Sequence, residues 1–214
     1  IKEPDGIAAA GGYWSARIAF FLGNPKKANY YLTQAATRER TFYGSLAMAS
    51  LGYRYNPKFD LPKYDINLIN KILKYNGGIR ALALIEVDQF HKAAREFRKI
   101  IPKFDVKDYP QLLSFISKNN MPGLTFRLAA ILRNDYVQIH LGGLYPIPEW
   151  KMDTSDLKDR ALIYAIARQE SGFNPRAKSS SKAMGVLQII PSTAAFIMKN
   201  REYRLRRSKN HLLY

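Results

Sequence analysis

Cysteine is absent from the 214 residues of the chain, which excludes disulfide bonds and metal sites built on thiolate ligands. Long hydrophobic runs are absent too: no stretch reaches about 18 apolar residues, so we expect no membrane-spanning helix. The only histidines, His91, His140 and His211, lack the spacing of metal ligands. We therefore expect the protein to use no metal and no other cofactor.

The chain also begins without an initiator Met and without a charged-then-apolar signal segment, since it opens on Ile1 and reaches Asp5 through Lys, Glu and Pro. We interpret it as a mature or excised sequence. The lack of cysteine is compatible with either the cytosol or the periplasm.

Acidic residues are few relative to basic ones, 17 against 34, and the formal net charge is +17. Such an excess favours an anionic partner: nucleic acid, an acidic membrane surface or an acidic cell-wall polymer. Lysines spread over solvated faces explain it equally well, so charge alone decides nothing. We interpret the basic segment 199–209 as a solvated surface, because no other nucleic-acid-binding feature accompanies it.

Apolar residues at helical spacing, interrupted by short turn signals, fill the first 145 residues, and no long alternating strand pattern occurs. We predict helices over residues 13–22, 26–36, 41–51 and 123–132, and two more within 80–101, separated near Val87 and Asp88. Short, irregularly spaced sequence similarities between these helices suggest a degenerate superhelix of helix pairs, of the tetratricopeptide kind.

Two glycines and two prolines in the segment 142–150 indicate a linker that is docked by its aromatic residues, Trp150 among them. We therefore predict a helical, superhelical domain with its linker over residues 1–147 and a second domain over 148–214. Asp153 and Asp156 offer capping side chains for a helix over residues 157–170.

Glu170 closes that predicted helix and shares a face with Ile163 and Ile166. An apolar stripe disfavours the ionised carboxylate, which suits a general acid. Gly172 and Pro175 then stop the helix and expose the acid to a cleft. A helix-terminal Glu that only reaches solvent is the alternative.

The sequence around Glu170 carries three short motifs in a fixed order. Glu-Ser-Gly-Phe begins at Glu170, Gly-Val-Leu-Gln ends at Gln188, and Pro-Ser-Thr-Ala begins at Pro191. Together they resemble the signature of the soluble lytic transglycosylases, which are related to goose-type lysozymes. Upstream, the runs at 13–17 and 41–47 resemble the superhelical portion of the large periplasmic members.

The resemblance implies cleavage of the MurNAc–GlcNAc β-1,4 bond of peptidoglycan in the periplasm, with formation of 1,6-anhydro-MurNAc. Glu170 would be the single general acid and base, and Ser171 would help to orient it. Ser179 and Gln188 match sugar-contacting positions. Ile190 stands where the family often has Met. Phe173 is expected to pack in the core rather than against sugar.

A single-carboxylate scheme also agrees with the residues themselves. A retaining glycosidase needs a second carboxyl group about 5 Å away. After residue 160 the only other acidic residue is Glu202, and Asp159 lies about 16 Å back along the helix. The substrate's own N-acetyl group is then the natural stabiliser of the developing positive charge.

The Ala-Tyr-Asn-Ala-Gly motif of the family's second lobe does not occur before Tyr214. We therefore expect an all-α fold, an irregular superhelix followed by the first half of a lysozyme-like domain. We expect peptidoglycan strands rather than nucleic acid as the partner, with cell-wall or peripheral membrane association. We also expect little or no activity from this chain alone. The alternatives are a non-catalytic helical-repeat scaffold that binds glycan and, from the charge, a nucleic-acid binder.

Overall fold

The computed structural model describes residues 5–54, 56–136 and 138–201. This part of the chain is built from eleven α-helices and two short 3₁₀ turns, and it contains two isolated β-bridges but no β-strand. The predicted all-α class is confirmed. None of the helices in these ranges is long and apolar enough to cross a membrane. Glu202, His211 and most of the basic segment 199–209 lie outside the described residues.

The chain forms two compact units, Ile1–Pro57 and Lys58–Tyr214. The domain boundary that the sequence predicts at residue 148 falls inside the second unit. That boundary lies at the glycine- and proline-rich linker, and it stays a prediction.

Three helices make up the described part of the first unit: α1 (Asp5–Phe21), α2 (Pro25–Ala36) and α3 (Phe42–Ser50). They pack through small buried side chains, namely Ala9, Ala16, Ala19, Ala28, Ala35 and Ala47. The Thr41 side chain caps α3 by accepting from the backbone N–H of Gly44 at 3.0 Å. Gly44 is required there, because a Cβ atom would collide with the carbonyl group of Arg38.

Eight helices make up the described part of the second unit. They are α4 (Ile66–Leu73), α5 (Asn76–Glu86), α6 (Phe90–Ile100), α7 (Tyr109–Lys118), α8 (Pro122–Tyr136), α9 (Leu141–Leu144), α10 (Leu157–Ser171) and α11 (Pro191–Ile197). Two 3₁₀ turns, Ile101–Lys103 and Val106–Asp108, connect α6 to α7.

Helices α4 to α9 supply the hydrophobic core of the second unit. Its fully buried side chains include Leu68, Ile72, Phe97, Leu112, Leu113, Ile116, Leu128 and Leu132. Helices α10 and α11 contribute no member of this cluster. Their buried residues are small, with Ala167 in α10 and Ala194 and Ala195 in α11. Helix α10 is therefore attached beside the core rather than forming part of it.

The helices predicted from the sequence are confirmed by α1, α2, α3, α5, α6, α8 and α10. The predicted break near Val87 is also confirmed, because Asp88 adopts a left-handed conformation with φ of 55° between α5 and α6. Helices α4, α7, α9 and α11 were not predicted.

Candidate active site

Glu170 lies in the last turn of α10, which ends one residue later at Ser171. Gly172 ends the helix in the left-handed conformation with φ of 57°. Its backbone N–H donates to the Arg168 carbonyl group at 3.2 Å, and the Phe173 N–H donates to the Ala167 carbonyl group at 3.2 Å. These bonds satisfy carbonyl groups that the helix end would otherwise leave without partners. The helix stop predicted at Gly172 is confirmed.

The face of α10 opposite Glu170 is anchored by contacts that include the linker segment preceding the helix. Arg168 donates from Nε to the carbonyl group of Leu144 at 2.7 Å. Its guanidinium carbon lies 4.9 Å from the ring centroid of Phe126 and 4.4 Å from that of Tyr145. The Tyr164 hydroxyl donates to the Pro148 carbonyl group at 2.8 Å. The helix therefore has one fixed face, from which Glu170 points away.

The face that carries Glu170 is open to solvent. The Glu170 side chain is exposed, and Leu162 and Ile166 retain 60% and 40% of their surface. Within the described ranges, these apolar side chains are only partly covered and no ion pair engages the carboxylate. The desolvation that the apolar stripe predicts for Glu170 is therefore not supplied by this part of the chain.

Ser171 connects the end of α10 to the loop that follows. Its hydroxyl oxygen lies 2.8 Å from the carbonyl oxygen of Val186 and 3.2 Å from that of Ala167, and it accepts from the Asn174 N–H at 3.1 Å. A hydroxyl has one proton, so it can donate to only one of these two carbonyl oxygens at a time, and the shorter distance favours Val186. The predicted role of Ser171, orientation of Glu170, remains a prediction that this tie makes physically reasonable.

Ser179 and Gln188 both stabilise turns of the loop between α10 and α11. The Ser179 hydroxyl accepts from the Ala183 N–H at 3.0 Å. Gln188 adopts a left-handed conformation with φ of 48°, and its side-chain amide donates to the Gly185 carbonyl group at 2.8 Å. Their predicted contacts with sugar remain predictions. In such a contact, the side-chain polar group of each residue would bind the sugar and the backbone of its turn at the same time.

Ile190 immediately precedes α11 and is partly exposed. Phe173 is only 3% exposed, and its ring centroid lies 6.0 Å from that of Trp150 and 6.4 Å from that of Phe126. Core packing of Phe173 is confirmed, as is docking of the linker by an aromatic residue. No group of three or more His, Asp or Glu side chains in the described ranges could hold a metal ion.

A cavity of about 710 Å³ adjoins the end of α10 on a side that Glu170 does not line. Gln169 and Ser171 line it, together with arginines of α6, α8 and the turn after α10. Sequence reasoning missed these arginines, although the pair Arg95 and Arg98 at helical spacing was a signal that could have been followed.

Comparisons with known proteins agree with these observations. The family described as Transglycosylase SLT domain matches residues 151–212. The soluble lytic murein transglycosylase of Salmonella typhimurium is 27% identical over 191 residues, which are 87% of this chain and 29% of that protein. That of Escherichia coli K12 is 26% identical over 191 residues, with the same coverage of both chains.

Solved structures show the same fold. The 70-kDa soluble lytic transglycosylase from Escherichia coli matches with a TM-score of 0.70 and 22% identity over 96% of this chain and 33% of that one. The complex of the 70-kDa soluble lytic transglycosylase with bulgecin A matches with a TM-score of 0.72 and 23% identity, over 99% and 33% of the respective chains.

The described part of the chain is therefore all-helical, and residues 151–212 match the family described as Transglycosylase SLT domain. The chain is homologous to the soluble lytic murein transglycosylases, and it spans 29% of the length of the two curated relatives described above.

Proposed function

We propose that the protein acts in peptidoglycan cleavage as a lytic transglycosylase. It breaks the MurNAc–GlcNAc β-1,4 bond and forms 1,6-anhydro-MurNAc, with Glu170 as the single acid and base. The observation that carries the proposal is the position of Glu170: an exposed carboxylate in the last turn of a helix whose other face is fixed by Arg168 and Tyr164. A fixed support of this kind is what general acid–base catalysis needs.

The reaction that we propose uses Glu170 twice. Its carboxyl group first gives a proton to the glycosidic oxygen, so that the GlcNAc alcohol leaves and C1 of MurNAc becomes electron-poor. The resulting carboxylate then takes the proton of the C6 hydroxyl of the same MurNAc, and O6 bonds to C1. No water is consumed, and Glu170 ends in its starting protonation state.

The arrangement of acidic residues supports a single-carboxylate scheme. Between residues 150 and 201 the other acidic residues are Asp153, Asp156 and Asp159, all near the start of α10. Asp159 accepts a hydrogen bond from Thr154 at 3.3 Å. Because it lies eleven residues before Glu170, about 16 Å along the helix, it is too far away to act as the nucleophile of a retaining glycosidase.

We assign supporting roles to four further residues. Ser171 positions Glu170 by joining the helix end to Val186, whose carbonyl oxygen lies 2.8 Å from its hydroxyl oxygen. Ser179 and Gln188 contact the glycan from the loop that their side chains also stabilise. Ile190 supplies an apolar contact at the start of α11.

Replacement of Glu170 tests the proposal. In full-length protein carrying the Glu170→Gln substitution, release of anhydro-muropeptides from purified peptidoglycan should fall by about 100-fold to 10,000-fold, the usual contribution of a general acid–base group. Products are identified and counted by mass spectrometry.

Asp159→Asn is the matched control, because it neutralises a carboxylate of the same helix far from the proposed site. It should keep near-normal activity. Unchanged activity in Glu170→Gln, or products that have gained water instead of the anhydro ring, would contradict the proposal.

A glycan-binding scaffold without catalysis is the second candidate function. The exposed Leu162 and Ile166 beside Glu170 favour it, because within the described residues the acid has no enclosed, water-poor surroundings. Retention of the protein on peptidoglycan without any release of soluble muropeptides would identify this function. Under either function we propose that the protein acts at the cell wall, in the periplasm.

A further inference from the structure

A second, smaller cavity lies where helices α4, α5 and α6 meet in the second unit. Its volume of about 360 Å³ is near the lower end of the range of small-ligand sites, about 300–1,000 Å³. The residues that line it come from two stretches of chain, 74–80 and 96–103, and it shares no lining residue with the cavity beside α10. It is therefore a separate feature of the fold.

Four basic side chains line this cavity. They are Lys74, which follows α4, Arg80 of α5, Lys99 of α6 and Lys103 of the 3₁₀ turn after α6. Glu96 is the one acidic residue of the lining, so four positive charges and one negative charge give the lining a formal charge of +3. A concave surface that is dominated by one sign of charge concentrates counter-ions. The cavity therefore favours an anion.

Glu96 holds two of these four cations in place. Its Oε2 atom accepts from Nε of Arg80 at 3.1 Å and from Nη2 at 2.7 Å, and its Oε1 atom accepts from Nζ of Lys99 at 2.6 Å. The hydrogen bonds from Lys99 and Arg80 also lower the pKa of Glu96, so this carboxylate stays ionised at neutral pH. The two cations remain accessible to a ligand, because 59% of the Arg80 side chain and 63% of the Lys99 side chain are exposed.

The other two cations, Lys74 and Lys103, have no carboxylate partner within the described ranges. Asp105 and Asp108, which follow in the sequence, pair with other lysines. Lys103 nevertheless has a defined position, because its Nζ atom lies 5.8 Å from the ring centroid of Tyr75, whose hydroxyl donates to the Lys103 carbonyl group at 3.0 Å. These two lysines therefore carry the uncompensated charge of the cavity.

We propose that this cavity, which we call the basic cavity and define by Lys74, Arg80, Lys99 and Lys103, binds the phosphate group of a phosphomonoester. The inference is independent of the proposed function. A phosphomonoester carries about 1.5 to 2 negative charges at neutral pH and three strong acceptor oxygens, so it compensates a lining of charge +3 better than a single carboxylate does. Lysine ammonium groups bind phosphate as point charges. A soluble ester and a lipid headgroup share this chemistry, and the experiment separates them.

Titration calorimetry of the wild-type protein measures the binding. Glycerol 3-phosphate is the soluble phosphomonoester, and acetate at the same ionic strength is the single-carboxylate comparison. We expect saturable binding of glycerol 3-phosphate, with acetate at least about 10-fold weaker.

Sedimentation with vesicles then identifies the source of the phosphate group. Phosphatidylcholine vesicles that contain phosphatidic acid present a phosphomonoester headgroup, and vesicles of phosphatidylcholine alone are the control. Binding to both glycerol 3-phosphate and the phosphatidic acid vesicles would identify a lipid headgroup as a ligand. Binding to glycerol 3-phosphate alone would identify a soluble ester. Binding to the vesicles without binding to glycerol 3-phosphate would count against the cavity.

Two double variants locate the site. Lys74→Gln combined with Lys103→Gln should weaken the binding of glycerol 3-phosphate by at least about 10-fold, because charge-assisted bonds are lost. Lys63→Gln combined with Lys92→Gln is the matched control. It removes the same number of positive charges from exposed positions outside the cavity, and it should leave the affinity nearly unchanged. All four lysines are exposed, so both double variants should fold.

Three results would overturn the inference. The first is an absence of saturable binding of glycerol 3-phosphate to the wild-type protein, and the second is equally tight binding of acetate. The third is a double variant at Lys74 and Lys103 that loses no more affinity than the control variant, since the attraction would then come from net charge alone. None of these measurements involves peptidoglycan or Glu170, so their outcome leaves the proposed function untouched.

Discussion

Two consecutive left-handed residues end the helix that carries Glu170. Gly172 has φ of 57° and Phe173 has φ of 63°. For a residue with a side chain, this conformation costs about 1–2 kcal/mol. Phe173 keeps it because its ring is buried against Phe126 and Trp150. The direction in which the chain leaves α10 is therefore maintained by side-chain packing.

Gly172→Ala should lower the free energy of unfolding of the second unit by about 1–2 kcal/mol. Alanine disfavours the left-handed conformation, and its Cβ would also lie 3.1 Å from Cδ1 of Phe126. Urea denaturation followed by circular dichroism measures the change. Gly11→Ala is the control: it lies inside α1 with no atom within 4 Å of the new Cβ, and it should be stabilising by up to about 1 kcal/mol. An unchanged free energy of unfolding in Gly172→Ala would contradict this prediction and show that the turn adjusts to accommodate alanine.

At the residue scale, the sequence predicted what depends on local chemistry. The stop at Gly172 and the burial of Phe173 follow from residue type and spacing. The tie between Ser171 and Val186 and the bond from Gln188 to Gly185 depend on how the loop folds back. The cavity that adjoins the end of α10 joins Arg95, Arg127 and Arg176 across three separate segments. No local pattern contains those separations, so only the structure could reveal the cavity.

At the scale of the element, α10 depends on a small number of anchoring contacts. Ala167 is its only fully buried residue, and Arg168 supplies both a hydrogen bond to Leu144 and two ring contacts. An arginine in this setting is not equivalent to lysine, because the planar guanidinium group stacks on rings while it donates from a fixed angle.

Arg168→Lys should therefore cost about 1–3 kcal/mol of stability, although the charge is retained. Arg133→Lys, at an exposed position with only a bond to the adjacent Asn134, should change stability by no more than about 0.5 kcal/mol. Thermal and urea unfolding of both variants give the comparison. Equal effects from the two substitutions would show that the ring contacts do not anchor the helix.

The predicted and unpredicted helices differ in their signals. Helices α2 and α8 have clear apolar spacing and, in α2, a Gly-Asn-Pro boundary. Helix α4 has eight residues, too few to be stable without burial of Leu68 and Ile72. Helix α7 has only ten residues, six of them buried, so packing rather than its own length supports it. Their helicity depends on the core that they help to form.

At the scale of the whole molecule, the charge of +17 should govern how the protein adheres to peptidoglycan, the substrate that we propose. Adsorption to purified peptidoglycan should decrease steeply between about 0.1 M and about 1 M salt, because the Debye length decreases from about 10 Å to about 3 Å. A sedimentation assay measures the bound fraction. Peptidoglycan with amidated carboxylates is the control and should bind weakly at every salt concentration.

The same assay addresses the nucleic-acid alternative. Random-sequence DNA that bound more tightly than peptidoglycan at physiological salt would favour that alternative. Adsorption to peptidoglycan that did not respond to salt would show that the net charge has no part in recognition.

The anchoring of Arg168 also determines the direction in which the Glu170 side chain projects from the helix axis. Each residue of an α-helix advances by about 100°, so two residues separate their side chains by about 200°. With Arg168 locked between the rings of Phe126 and Tyr145, Glu170 must project to the far side. Inserting or deleting one residue between them would turn the carboxylate by about a quarter of a circle. A functional site of this kind thus requires a fixed number of residues between Arg168 and Glu170, and not only the presence of both residues.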